Sequence, residues 1–156
     1  VSVITNTAFS LSDSTSKQER YILTQVGSWV LVFPSLWVAE IFRIERSQLL
    51  PLPTYPSPLI GVIHHNSQIL PLVSTHQILQ TEETNRRETA IVIHLTHQAS
   101  TLSNVGLVID KALGSASYDQ LPAPLFATSA LHPEDTSGMV LCQPDWFASD
   151  LWHPQA

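Results

Sequence analysis

Between Trp29 and Phe33 the chain reads Trp-Val-Leu-Val-Phe, apolar at every position. The run is short and rich in β-branched and aromatic residues, so a strand is expected. Neighbouring side chains of a strand face opposite ways, and both faces of this one must therefore be covered. An open sheet with one wet face cannot house it; a barrel filled on one side and packed against a second layer on the other can. Just before it lies a second β-rich run, Arg20 to Val26, and the Gly27-Ser28 pair between the two predicts a tight hairpin.

Further short runs follow at Ile60 to His64, Gln68 to Val73, Thr89 to Leu95, Val105 to Ile109, Leu125 to Leu131 and Met139 to Cys142, separated by turn residues. This spacing predicts a mostly β sandwich or barrel. Helix is scarce: a short turn is expected over Thr75 to Gln80, and Pro144 with Asp145 supplies the proline and acid that open a helix in DWFASDLW. LPLPTYPSPL holds four prolines from Pro51 to Pro58 and reads as an extended crossing loop. Residues 1–19 are Ser/Thr-rich without a period of 2 or 3.6 and are expected to form a flexible arm, leaving residues 20–152 as a single domain.

Cys142 is the sole cysteine, which rules out an intramolecular disulfide and a Cys-rich zinc site. No run approaches the roughly 18 apolar residues of a membrane helix, and the first twenty residues lack a signal-peptide pattern, so a cytoplasmic location without membrane insertion is expected. Seven basic residues against thirteen acidic ones give a net charge of -6, which disfavours nucleic acid as a partner. Charged residues make up 13% of the chain, where about 25% is usual. A weakly charged surface suits association with other proteins.

Enzymatic chemistry finds little support. There is no GxSxG elbow, and Cys142 has no basic residue near it in sequence. The five glycines are not clustered, so neither Lys17 nor Lys111 follows a Gly-rich phosphate loop. Histidine offers the one rival from another class, a metal site built on His64-His65 or on the spacing His94-x-x-His97. Adjacent strand residues point apart, however, so His64 and His65 are poorly placed to share an ion. No catalytic, cofactor or metal residue is therefore assigned.

Four separated segments carry a resemblance. Arg20-Tyr21 opens a strand with Gly27 at its turn; Val38, Glu40, Ile41 and Arg43 stand in WVAEIFR, followed by Pro51, Leu52, Pro53 and Pro56; GVIHHNSQILPLVS runs from Gly61; and VGLVIDKALG runs from Val105. In this order and spacing they resemble the CheW family of chemotaxis coupling proteins. The resemblance implies two SH3-like five-stranded β barrels packed together with short helices, and no catalytic centre. It implies an adaptor that joins the regulatory domain of a CheA-like histidine kinase to the cytoplasmic tip of a chemoreceptor. The partner-binding residues it implies are Val38, Glu40, Ile41, Arg43, Gly61, Ile63, His64, His65 and Asn66. Asn66 stands where the family has an arginine associated with receptor contact, Ser67 where it has glycine, and His64 and His65 where it has Asn and Leu. An asparagine cannot make the forked ionic contact of an arginine. Plainer readings stand beside these: Glu40 and Arg43, three apart, can form a surface ion pair, Val38, Ile41 and Ile63 can be core, Gly61 can allow close backbone packing, and the barrel edges can serve self-association instead of signalling.

Overall fold

A computed structural model of the chain describes residues 19–53, 55, 58–82, 87–127 and 138–147. The arm expected before Arg20 lies outside these residues except for Glu19, as does the end of the expected domain beyond Phe147. Nine strands are described: β1 Arg20–Val26, β2 Trp29–Pro34, β3 Val38–Glu45, β4 Leu59–His65, β5 Gln68–Ser74, β6 Thr89–Leu95, β7 Gly106–Ile109, β8 Lys111–Ser117 and β9 Met139–Leu141, with one short helix, α1, at Thr75–Ile78. They form a four-stranded sheet in the order β8-β1-β2-β9 and a five-stranded sheet in the order β3-β6-β7-β5-β4.

The second sheet closes on itself. After β3 the chain makes a 3-10 turn at Arg46–Gln48, and Leu50 then pairs antiparallel with Val62 of β4, so the continuation of one edge strand meets the other edge. Closure removes unpaired edges and encloses an interior of Ile44, Ile63, Leu70, Leu72, Ala90, Val92 and Val108. The first sheet has its own small core of Tyr21, Val32, Leu121 and Leu125. Between the sheets lies a third and larger one, where Val26, Leu31 and Phe33 of the first sheet meet Val73, Ile93, Leu95, Leu107 and Ile109 of the second.

This three-core arrangement accounts for the run that is apolar throughout. On β2, Leu31 and Phe33 enter the core between the sheets while Val32 faces the interior of the first. The strands β6 and β7 divide in the same way: Ile93 and Leu107 face the first sheet, Val92 and Val108 the barrel interior. The predicted hairpin is present, with β1 antiparallel to β2 and Gly27 at φ +60°. A side chain there would also collide with Thr81, whose Oγ1 would lie 2.2 Å from a Cβ.

Several expectations are corrected. The run Leu125 to Leu131 is no strand where it is described: its first residues belong to the 3-10 turn Ala123–Phe126, which Pro122 and Pro124 favour by their fixed φ, and the Leu125 and Ala127 amides are spent on Pro122 O at 3.0 Å and Pro124 O at 3.1 Å. The helix expected from Pro144 is a single 3-10 turn, Pro144–Trp146, within the described residues. The strands β3 and β8 were not among the expected runs. The sequence Lys111–Ser117, KALGSAS, has small residues exposed along most of its length, so it lacks the alternation that marks a strand. The helix expected at Thr75 is α1, with Ser74 Oγ accepting from Gln77 N–H at 3.3 Å as its N-cap.

The chain passes from the second sheet to the first at Asp110, between β7 and β8. Its amide donates to Gln25 O at 2.8 Å. One carboxylate oxygen accepts the Gly27 N–H at 2.7 Å, and the other faces Nε2 of the buried His76 of α1 at 2.8 Å. A single side chain thus ties the β1–β2 turn of one sheet to the helix that follows β5 of the other. Thr75, beside His76, donates its hydroxyl to Val108 O and fastens the same helix to β7.

Candidate functional site

The strand β3 carries four of the nine implied contact residues, and an irregularity decides which way they point. Val38 pairs with Leu95 but Glu40 pairs with His94, so one extra residue, Ala39, is accommodated in a β-bulge. Beyond the bulge Glu40, Phe42 and Ile44 share one face, the face of the barrel interior, while Ile41 and Arg43 share the other. Glu40 therefore stands at the mouth of the closed barrel, at the end of its apolar row.

Two residues from the β4–β5 hairpin meet it there. His65 Nε2 lies 2.9 Å from Glu40 Oε1, and Asn66 Nδ2 donates to the same oxygen at 3.3 Å. The imidazole of His65 is stacked on Phe42, with centroids 3.8 Å apart and planes 3° from parallel. Edge-on to it stands His94, centroid distance 6.5 Å, whose two ring nitrogens are buried without a hydrogen-bond partner. Glu40 remains partly exposed and His65 less so, with side-chain exposures of 40% and 22%. The result is a polar rim in which one carboxylate is oriented by two fixed partners over an aromatic floor.

Asn66 also has a backbone reason to be where it is. It and Ser67 have φ of +50° and +63°, the two left-handed positions of a two-residue hairpin loop. Asparagine tolerates that conformation better than other non-glycine residues, and serine does so poorly. Ser67→Gly is accordingly expected to raise stability by about 1 kcal/mol, measurable as a higher urea midpoint with an unchanged slope; an unchanged midpoint would show that the turn carries no strain.

The remaining implied residues are placed elsewhere. Val38 and Ile41 pack on the core between the sheets, and Ile63 is buried in the barrel interior. Gly61 sits where the barrel closes, with φ +152° and Leu50 O 2.4 Å from where its Cβ would be. His64 is exposed on the outer face of the hairpin opposite Ile69, which is itself 61% exposed. Arg43 lies three residues from Glu40, on the other face of β3, and the carboxylate is held by His65 instead. Phe42 was missed by the sequence reading of this site, and His94 was weighed there only as a metal ligand. Only the pairing of β3 with β6 brings them beside Glu40, and the signal in the sequence was limited to the strand alternation around Glu40.

Among the described residues no group of three or more His, Cys, Asp and Glu side chains is placed to hold a metal ion. His97 is exposed on the 3-10 turn after β6. Cys142 is buried beside Val140 in the core between the sheets, and burial pushes its thiol well above the usual range, keeping it protonated and unreactive. No described helix is long and apolar enough to cross a membrane.

Comparison with known proteins agrees with this architecture. No curated protein matches the chain. Among solved structures, the fold is similar to that of the scaffolding protein TtCheW from Thermoanaerobacter tengcongensis, with a TM-score of 0.53 at 12% identity, over 72% of this chain and 75% of that one. The family model for the CheW-like domain matches residues 20–143, from the first residue of β1 to just past β9, and the chain belongs to the CheW-like domain family.

Proposed function

We propose that this protein is a non-enzymatic cytoplasmic adaptor that couples the regulatory domain of a CheA-type histidine kinase to a receptor or related partner in a chemotaxis-like pathway. Membership of the CheW-like family supports the scaffold role. The observation that carries the finer reading is the rim at the barrel mouth, where Glu40, His65 and Asn66 are joined by hydrogen bonds and His65 is stacked on Phe42. Oriented, partly exposed polar groups of this kind set the register of a protein contact. With Asn66 in place of an arginine this rim offers a carboxylate and neutral donors, so a partner that brings its own cation to Glu40 is favoured over one that brings an anion.

Gel filtration of the chain mixed with the regulatory domain of a CheA-type kinase from the same organism tests the reading. Co-elution is expected at concentrations on the order of tens of micromolar, and Glu40→Lys is expected to weaken capture of a receptor-tip fragment at least about tenfold, or roughly 1.4 kcal/mol. Absence of any kinase complex would overturn the adaptor assignment.

Self-association is a second reading, favoured by β8, an edge strand among the described residues, whose Lys111 to Ser115 are exposed. That edge is blunted, since a register shift between Leu23 and Thr24 leaves Leu113 bulged and Lys111 heads the strand. Sedimentation over a range of concentrations separates the readings: an adaptor stays monomeric alone.

A further inference from the structure

The described part of the chain holds five Lys or Arg residues, and four of them, Arg43, Arg46, Arg87 and Lys111, line one cleft of about 530 Å³. This concentration arises in a protein whose net charge is -6. The fifth, Arg20, lies apart and donates to Ser115 Oγ at 2.7 Å.

The cleft follows from the topology. Arg43, Ile91 and Ile109 are cross-strand neighbours in one row of the second sheet. One residue later the chain crosses at Asp110 to the first sheet, where Lys111 pairs with Gln25. The row and the crossing together make a trough along the seam between the sheets, with Ala90, Ile91 and Ile109 in its lining and the cations around it. Arg46 is fixed in place, its Nε donating to Arg87 O at 2.6 Å and its amide to Glu88 O at 2.7 Å. Two of the acidic groups nearby, Asp110 and Glu45, are engaged. Both oxygens of Asp110 accept from Gly27 and His76, and the side chain of Glu45 caps the Gln48 N–H in the 3-10 turn after β3. Among the described residues that line the cleft four are cationic and one, Asp110, is a carboxylate, around a concave, partly apolar space, and the field of such a cleft concentrates anions.

We propose that this seam binds a small phosphate-bearing anion with an apolar portion, its phosphate groups held by Arg43, Arg87 and Lys111 and its body laid on Ile91 and Ile109. Arginine is suited to the phosphate group because its planar fork donates in pairs. The volume lies within the range of small-molecule pockets, about 300–1,000 Å³, and concavity favours such a ligand over a flat protein contact. The cleft is on the opposite face of β3 from the Glu40 rim, so the proposal stands independently of the adaptor reading.

Isothermal titration of the intact chain with ATP and with pyrophosphate, at an ionic strength of about 0.1 M, tests it. Saturable binding with one site and a Kd at or below about 1 mM is expected. Arg43→Gln and Lys111→Gln, both at exposed positions, are each expected to weaken it at least about fivefold, whereas Arg20→Gln changes it less than about twofold. Tighter binding of ATP identifies a nucleotide-like ligand and equal binding identifies the phosphate groups alone as the recognised element; either supports the site. Three results would overturn it: no saturable binding of either probe, equal weakening by Arg20→Gln, or displacement of ATP by a tighter-binding oligoglutamate peptide, which would assign the cleft to an acidic protein segment.

Discussion

Asp110→Ala is expected to destabilise the protein by about 2 kcal/mol, the range for leaving a buried imidazole and a turn amide without their acceptor. The carboxylate accepts the Gly27 N–H at 2.7 Å and faces His76 Nε2 at 2.8 Å, and His76 is only 2% exposed. Alanine would leave the imidazole with no partner at either nitrogen, since Nδ1 already has none, and would strip the turn amide of its acceptor. The imidazole is buried, so loss of its acceptor carries a desolvation cost, which water entering from the cleft beside Asp110 reduces. In urea the midpoint should fall by about 1–2 M. Asp110→Asn, which keeps one acceptor oxygen and the shape, should lose less. Addition of His76→Phe to Asp110→Ala should recover part of the loss, because an apolar ring has no unmet hydrogen bond. A midpoint unmoved by Asp110→Ala would mean that the two sheets are joined by their shared apolar core alone.

Gly61→Val should be at least as damaging, on the order of 3 kcal/mol or more, because two independent costs coincide. The φ of +152° is one that L side chains rarely adopt, and a Cβ would lie 2.4 Å from Leu50 O. Leu50 cannot simply retreat. Its carbonyl accepts from Val62 N–H at 3.0 Å and its amide donates to Val62 O at 2.9 Å, and this pair is the closure of the second barrel. Relief of the clash therefore opens the barrel. Hydrogen exchange at the Leu50 and Val62 amides should accelerate selectively in the milder Gly61→Ala variant. Gly114→Ala is the matched control: its φ is +136° but nothing lies within 4 Å of the added carbon, so it carries the conformational cost without the collision. Its loss should be about 1 kcal/mol. Equal losses at the two glycines would show that backbone strain, and not closure, is what Gly61 serves.

The same two positions show how far the sequence could be read. Gly61 was legible as a glycine set for close packing, and VGLVIDKALG was legible as a family segment, yet the partners of both residues come from other parts of the chain. Asp110 meets Gly27 across 83 positions and His76 across 34, separations that no local pattern encodes. At the candidate site Glu40, His65 and Asn66 were named from their segments, but that they share one carboxylate oxygen depends on the bulge at Ala39 turning Glu40 toward the barrel mouth. Were the strand to alternate regularly from Val38, with Ala39 paired in the ladder, Glu40 would face as Ile41 does now, into the core between the sheets.

What the residues determined by themselves was the local grammar. An unbroken apolar run demands cover on both sides, Gly27 permits the hairpin, and short β runs between turn residues exclude a helical protein; these depend on side-chain hydration and backbone sterics, which act over a few positions. Tertiary structure alone decided the rest. It recruited the small, exposed KALGSAS segment as an edge strand through its pairing with β1. It also gathered Arg43, Arg46, Arg87 and Lys111 around one trough from three distant segments of an acidic chain. Charge acts through space and not along the chain, so a field of that kind exists only once the two sheets are in place.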